Sequence, residues 1–301
     1  MRGDFMSEEI KQNDRPKLGF IGVGVMGEPI ASNLLQAGFE LTIFDRTRDK
    51  CEKLVPLSAK IADSSRQVAA ASEIVITMVS DTAMVEEALF GVDGVAGGLK
   101  PGAVVIDMST ISPLATMEFG KRLAALGCEM LDAPVSGGPK GAIAGTLGIM
   151  VGGAREVFGR CLPVFQVMGK TITYTGPLGN GQKTKLVNQL VGATNLLAAV
   201  EGLRLARRAG LDVPTTLQAV GSGVANSWML TNLIPMILKE DFAPGFSIRL
   251  QHKDLKLLTE WTDSLGGDFP AAEMMFSLYS QAMEMGLEGQ GNQGLINIWK
   301  P

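Results

Sequence analysis

Between Lys17 and Asp45 the apolar positions change period twice, and each change marks an element. Leu18 to Ile21 is an unbroken apolar run, as expected of a strand buried on both faces. Ile30, Leu34 and Leu35 then recur at helical spacing until Gly38 stops the helix. Leu41-Thr42-Ile43-Phe44-Asp45 reads as a second strand. Further strands are predicted over Glu73 to Val79, Gly102 to Asp107 and Gly127 to Asp132, with two short ones around Thr146 to Val151 and Thr171 to Thr175. Ser80-Asp81 suits a helix cap. Strands alternating with helical stretches predict an α/β fold, a doubly wound parallel sheet of Rossmann type. After the Gly- and Pro-rich loop Pro177 to Gly181 the texture becomes helical. One helix is expected from about Gln182 to Ala209, roughly 40 Å long at 1.5 Å per residue, and another over Met274 to Leu287.

The turn between the first strand and the first helix is Gly22-Val23-Gly24-Val25-Met26-Gly27. A G-x-G-x-x-G in that position, with Asp45 ending the next strand, is the dinucleotide-binding fingerprint. Gly22 permits the tight turn, Gly24 admits a pyrophosphate, and Gly27 lets the helix pack on the strand. The helix N-terminus offers unpaired N–H groups to the phosphates. Asp45 suits a ribose diol, hence NAD, whereas Arg46 and Thr47 suit a 2′-phosphate, hence NADP. Both cofactors stay open, with a lean to NAD because Asp45 would repel a phosphate. The predicted organisation is a flexible tail over residues 1–15, a dinucleotide-binding domain over 16–178 and an all-α domain over 179–301 that includes the long helix.

Ligands of such sheets bind beyond the carboxyl ends of the strands. That directs attention to Met78, Val79 and Ser80, and to Ser109, Thr110 and Ile111. Ser136-Gly137-Gly138, after the Gly127 to Asp132 strand, exposes backbone N–H groups suited to a carboxylate. On the long helix, Lys185 precedes Asn188 by three residues and Gln189 by four, so the three share one face. His252, the single histidine, is read as structural.

Composition narrows the function. Of 301 residues, 46% are hydrophobic and 19% charged, below the usual quarter, so surface is expected to be buried between domains or subunits. A net charge of −4 gives no electrostatic case for nucleic acid. Cys51, Cys128 and Cys161 are scattered. With one His they suit neither a zinc site nor a disulfide framework, and a reducing cytoplasm fits them. No stretch reads as a membrane span or a signal peptide. Met6 is read as an alternative start after MRGDF. A Tyr-x-x-x-Lys pair is absent, since Leu178 and Met283 follow the two tyrosines at that distance.

Four stretches together resemble the β-hydroxyacid dehydrogenase family, which includes 3-hydroxyisobutyrate dehydrogenase and tartronate semialdehyde reductase. They are GFIGVGVMGEPIASNL, DAPVSGGPKGAIAGTLGIMVGG, GNGQKTKLVNQ and PGFSIRLQHKDLKLL, in family order, and the likeness runs from about Arg15 to Ala282. The resemblance implies NAD(P)-dependent interconversion of a small β-hydroxy acid and its semialdehyde. It implies Lys185 as catalytic acid and base, and Ser136, Gly137 and Gly138 as holders of the substrate carboxylate. Asn188 and Gln189 would orient the substrate, and Thr110 and Lys253 would line the nicotinamide end. The site is expected in the cleft between the domains of a homodimer or homotetramer. Many relatives carry Asn-Asn where this chain has Asn188-Gln189, a form resembling the tartronate semialdehyde reductase branch. The family's acidic C-terminal pattern is poorly matched by Gly291-Asn292-Gln293-Gly294. Alternatives are a reductase of succinic semialdehyde or glyoxylate, and a non-catalytic dinucleotide-binding protein.

Overall fold

The computed structural model describes residues 15–299, so nearly all of the tail expected over 1–15 lies outside the described residues. The chain divides after Gln182 into two compact units.

The first unit is built on nine strands: β1 (Leu18–Ile21), β2 (Leu41–Phe44), β3 (Lys60–Ile61), β4 (Ile74–Thr77), β5 (Val104–Asp107), β6 (Glu129–Asp132), β7 (Val135–Ser136), β8 (Leu147–Gly152) and β9 (Gly169–Gly176). Their order is β3-β2-β1-β4-β5-β6-β8-β7, with β9 paired to β8. From β3 to β6 every pairing is parallel. The order reverses at β1, whose neighbours are β2 and β4, the switch point at which such sheets bind ligands. Side chains alternate between two apolar layers: Ile74, Ile76, Val104 and Ile106 enter one, and Val75, Val105 and Met130 the other. Burial on both faces explains why these strands read as continuous apolar runs.

Beyond β6 the parallel pattern ends. The chain passes from β6 through Ala133-Pro134 straight into β7, turns back through residues 137–146, and returns as β8, antiparallel to both β6 and β7. Periodicity reports burial and not strand direction, so this reversal was not predicted. The helix Arg155–Met168 then covers this end of the sheet and leads to β9, parallel to β8.

The second unit is helical. The long helix Asn180–Arg208, which begins in the first unit, contributes Leu186, Ala193 and Leu197 to a core with the helices Ile248–Leu265 and Pro270–Glu284. Further along, Leu196, Val200 and Leu203 pack with Leu230, Ile234 and Ile237. The poorly matched tail is well packed: Asn292–Trp299 forms 3-10 turns that bury Leu295, Ile296 and Ile298. No helix among the described residues is long and apolar enough to cross a membrane.

Candidate active site

In the first unit the phosphate loop separates the jobs of its three glycines. Gly22 has φ of 98° and lies so close to the Met78 carbonyl that any side chain would overlap it. At Gly27 a Cβ would fall on the Gly22 carbonyl oxygen and within 3.0 Å of the Phe20 ring, which is how the helix Gly27–Gln36 seats on β1. Gly24 differs: a Cβ there would meet nothing within 4 Å. Its hydrogen leaves the loop's outer face open to a ligand, beside the exposed Val25 and half-buried Met26. These features fit a dinucleotide pyrophosphate.

Asp45, just past β2, closes the loop. Its Oδ2 accepts from Val23 N at 2.9 Å and its Oδ1 from Thr47 N at 2.9 Å. Lys50 Nζ sits 3.3 Å from the same Oδ1, a partner the sequence reading missed. The carboxylate is thus oriented by the backbone before any ribose arrives. Of the neighbouring cations, Arg48 pairs with Asp63 at 3.0 Å, and Arg46 reaches Met84 Sδ at 3.9 Å.

Register aligns a row of polar side chains at the carboxyl end of the sheet. Thr77 on β4 pairs with Asp107 on β5, which pairs with Asp132 on β6. All three are fully buried. Asp107 Oδ1 accepts from Thr77 Oγ1 at 2.8 Å and from Ser109 N at 3.2 Å, while Oδ2 has no hydrogen-bond partner. Burial pushes the Asp107 carboxyl up to about 6, against the pull of these donors. Ser109 Oγ accepts from Val79 N at 2.9 Å, tying the loop after β4, with Met78 and Val79, to the loop that carries Thr110. Ser136 ends β7, and Gly137 and Gly138 follow at φ of 128° and 60°. These left-handed conformations suit glycine and turn the chain into the helix Gly138–Ala144.

In the second unit the long helix brings its expected residues together. Lys185 is 7% exposed and Gln189 6%, and both face the helix Ile248–Leu265. Gln189 Nε2 donates to Asp254 Oδ2 at 2.6 Å, a short charge-assisted bond, and stands 3.5 Å from Gln251 Oε1. Asn188 Nδ2 donates to Gln189 Oε1 at 2.9 Å, so Gln189 fixes its neighbour. Lys253 Nζ lies 2.9 Å from Asp254 Oδ1. Burial holds the proton affinity of Lys185 below that of an ordinary lysine; Asp254 opposes this and Lys253 adds to it. His252 Nε2 lies 3.1 Å from Ser280 Oγ, within hydrogen-bond distance, and its ring stacks on Phe276.

The sequence reading missed Asp107, Asp132, Gln182, Gln251 and Asp254. Asp254 carried a usable signal, since a carboxylate next to Lys253 on an amphipathic helix faces inward with Leu255 and Leu258. The others acquire meaning only from strand register or from partners far along the chain.

Residues 17–176 match the model of the NAD binding domain of 6-phosphogluconate dehydrogenase. Residues 179–299 match that of the NAD-binding domain of NADP-dependent 3-hydroxyisobutyrate dehydrogenase. The chain is 43% identical to the 2-hydroxy-3-oxopropionate reductase of Escherichia coli over 84% of its own length and 87% of the relative's. It is 37% identical to the 2-(hydroxymethyl)glutarate dehydrogenase of Eubacterium barkeri, over 94% and 95%. A solved 3-hydroxyisobutyrate dehydrogenase from Mycobacterium tuberculosis, described with L-serine, superposes with a TM-score of 0.89 at 29% identity, covering 95% and 99% of the two chains. The chain therefore belongs to the β-hydroxyacid dehydrogenase family and is an NAD(P)-dependent oxidoreductase.

Proposed function

We propose that this enzyme interconverts a small β-hydroxy acid and its semialdehyde, of the 3-hydroxyisobutyrate or tartronate semialdehyde/glycerate type, with Lys185 as acid and base. The observation that carries this reading is the buried Lys185, whose proton affinity is lowered by burial and by Lys253 and restrained by Asp254. An ordinary lysine holds its proton too tightly for exchange near neutrality; a desolvated one does not. When bound, the nicotinamide ring takes or gives the hydride. In oxidation, neutral Lys185 removes the proton from the substrate hydroxyl as the carbon loses its hydride. In reduction, protonated Lys185 polarises the carbonyl and delivers the proton to its oxygen. Ser136 and the N–H groups of Gly137 and Gly138 hold the substrate carboxylate. Asn188, fixed by Gln189, orients the substrate oxygens, which contributes position and not proton transfer.

We favour NAD over NADP. Asp45 is held in place by Val23 N and Thr47 N, and its charge at the end of β2 disfavours a 2′-phosphate. The three free, buried thiols support a reducing compartment, the cytoplasm. Exposed apolar residues on the long helix, Val187, Val191 and Leu205, support assembly into a homodimer or homotetramer.

The test is an absorbance assay at about 340 nm with NADH and with NADPH against tartronate, methylmalonate and succinic semialdehydes and glyoxylate, and with oxidised cofactor against 3-hydroxyisobutyrate and D-glycerate. The expected result is selective turnover of one three- or four-carbon β-hydroxy acid pair, faster with NADH. No turnover of any compound, with cofactor binding intact, would overturn the reading.

A further inference from the structure

Asp132 and Gln182 form a hydrogen-bonded latch around the start of the long helix. Asp132 is contributed by β6, yet it serves the first turn of a helix that begins at Asn180. Its Oδ1 accepts from Gly179 N at 2.8 Å and its Oδ2 from Gln182 N at 2.7 Å. A buried carboxylate thus replaces the local cap residue and meets the positive end of the helix dipole. Two glycines make the approach possible. A Cβ on Gly181 would lie 2.5 Å from Met150 O and 2.6 Å from Asp132 O, and one on Gly152 would lie 2.8 Å from Gly181 N.

Gln182 turns this anchored turn toward the neighbouring strand end. Its Nε2 donates to Ser109 O at 2.7 Å, and its Oε1 accepts from Ile111 N at 3.1 Å. The backbone is therefore clamped on both sides of Thr110, the residue expected at the nicotinamide end. Through Ser109 Oγ the clamp continues to Val79 N. Lys185 follows Gln182 by three residues on the same helix and face.

We propose that Asp132 and Gln182 are positioning residues of the reaction, joining the Thr110 loop and the helical turn that precedes Lys185 into one rigid piece. Neither touches the reacting atoms. Their effect is to hold the Thr110 loop against the first turn of the helix that carries Lys185. This rests on the reading of Lys185 as acid and base given above.

The test uses Gln182→Met, which keeps the volume and removes both side-chain hydrogen bonds, alone and combined with Lys185→Ala. A misplacement of about 1 Å costs on the order of 100-fold in rate. Gln182→Met alone is therefore expected to lower kcat about 10- to 100-fold, with the Kd for NADH changed less than about threefold. In the Lys185→Ala background the same substitution is expected to cost less than about threefold, because the register it protects no longer serves an acid or base. A kcat for Gln182→Met within about twofold of wild type, or an equal loss in both backgrounds, would overturn the proposal. Turnover retained by Lys185→Ala alone would instead sink the acid/base reading, so the two failures are distinguishable. If Gln182→Met does not fold, Gln182→Glu keeps the acceptor for Ile111 N and needs a proton to donate to Ser109 O. Its kcat relative to wild type should then rise as pH falls, and a flat ratio would count against the latch.

Discussion

The phosphate loop and the Lys185 cluster solve opposite problems. The loop works with backbone: its residues are adjacent in sequence, and its glycines act through the side chain they lack. The cluster works with side chains, and its partners come from 62 and 65 residues away, as in the bonds from Gln189 to Gln251 and to Asp254. The first suits a ligand without needing to change charge. The second holds a lysine where burial disfavours its charge, and the proposed chemistry draws on that resistance. The difference teaches where substitutions will show: as affinity in the loop, as turnover and pH dependence in the cluster.

The strongest way to break this division is Lys185→Met. Its kcat is expected to fall about 10²- to 10⁴-fold, the range a positioned acid/base supplies, while NADH affinity stays unchanged in a fluorescence titration. Stability should move the other way. The folded protein holds Lys185 below its ordinary 10.5, so folding penalises the charged form, and the penalty fades as pH rises through the folded value. Lys185→Met should therefore melt higher than wild type at neutral pH, with the gain shrinking in alkali. A variant that loses cofactor binding along with turnover would erase the contrast.

A second, smaller effect separates pH-sensitive structure from pH-sensitive chemistry. Asp107 is raised from 3.8 to about 6 in the folded protein. Its protonated form is favoured by folding, so stability is full below about pH 4, falls as pH rises to about 6, and is flat beyond. That displacement corresponds to about 3 kcal/mol. Asp107→Asn keeps an acceptor for Thr77 and Ser109. Urea denaturation should find it equal to wild type near pH 4 and about 2–3 kcal/mol more stable at pH 8. Equal stability at both pH values would refute the buried-acid account.

The smallest effect lies within the loop itself. Gly27→Ala drives a methyl into the Gly22 carbonyl and should cost about 1–3 kcal/mol of stability. Gly24→Ala meets open space, so its melting should stay within about 0.5 kcal/mol of wild type, while its Kd for NADH rises about tenfold or more, equivalent to about 1.4 kcal/mol. Unchanged NADH affinity in Gly24→Ala would show that the open face is not where the pyrophosphate lies.

What the sequence revealed follows the same division. The loop, its flanking strand and helix, and the Lys185-Asn188-Gln189 face were legible because each is set by spacing within one element. Asp81 was legible as a helix cap, and it accepts from Met84 N at 2.8 Å. Asp107 and Asp132 were read only as strand ends, because their meaning arises from a register that pairs them across two strands. Gln182 looked like an ordinary polar residue at a helix start, since its partners lie 71 and 73 residues earlier. The antiparallel edge escaped for a similar reason: hydropathy records burial, and the direction of β8 is set by the turn through residues 137–146 and by its pairing with β6 and β7.

The most direct test of the central claim is the pH dependence of kcat for oxidation of the hydroxy acid, in wild type and in Lys185→Met. The account predicts a wild-type rate that rises with pH to a plateau, through an ionisation below the ordinary lysine value of 10.5. The residual rate of Lys185→Met should lack that ionisation. The same rising limb in the variant, or turnover close to wild type, would contradict the assignment of Lys185 as the base.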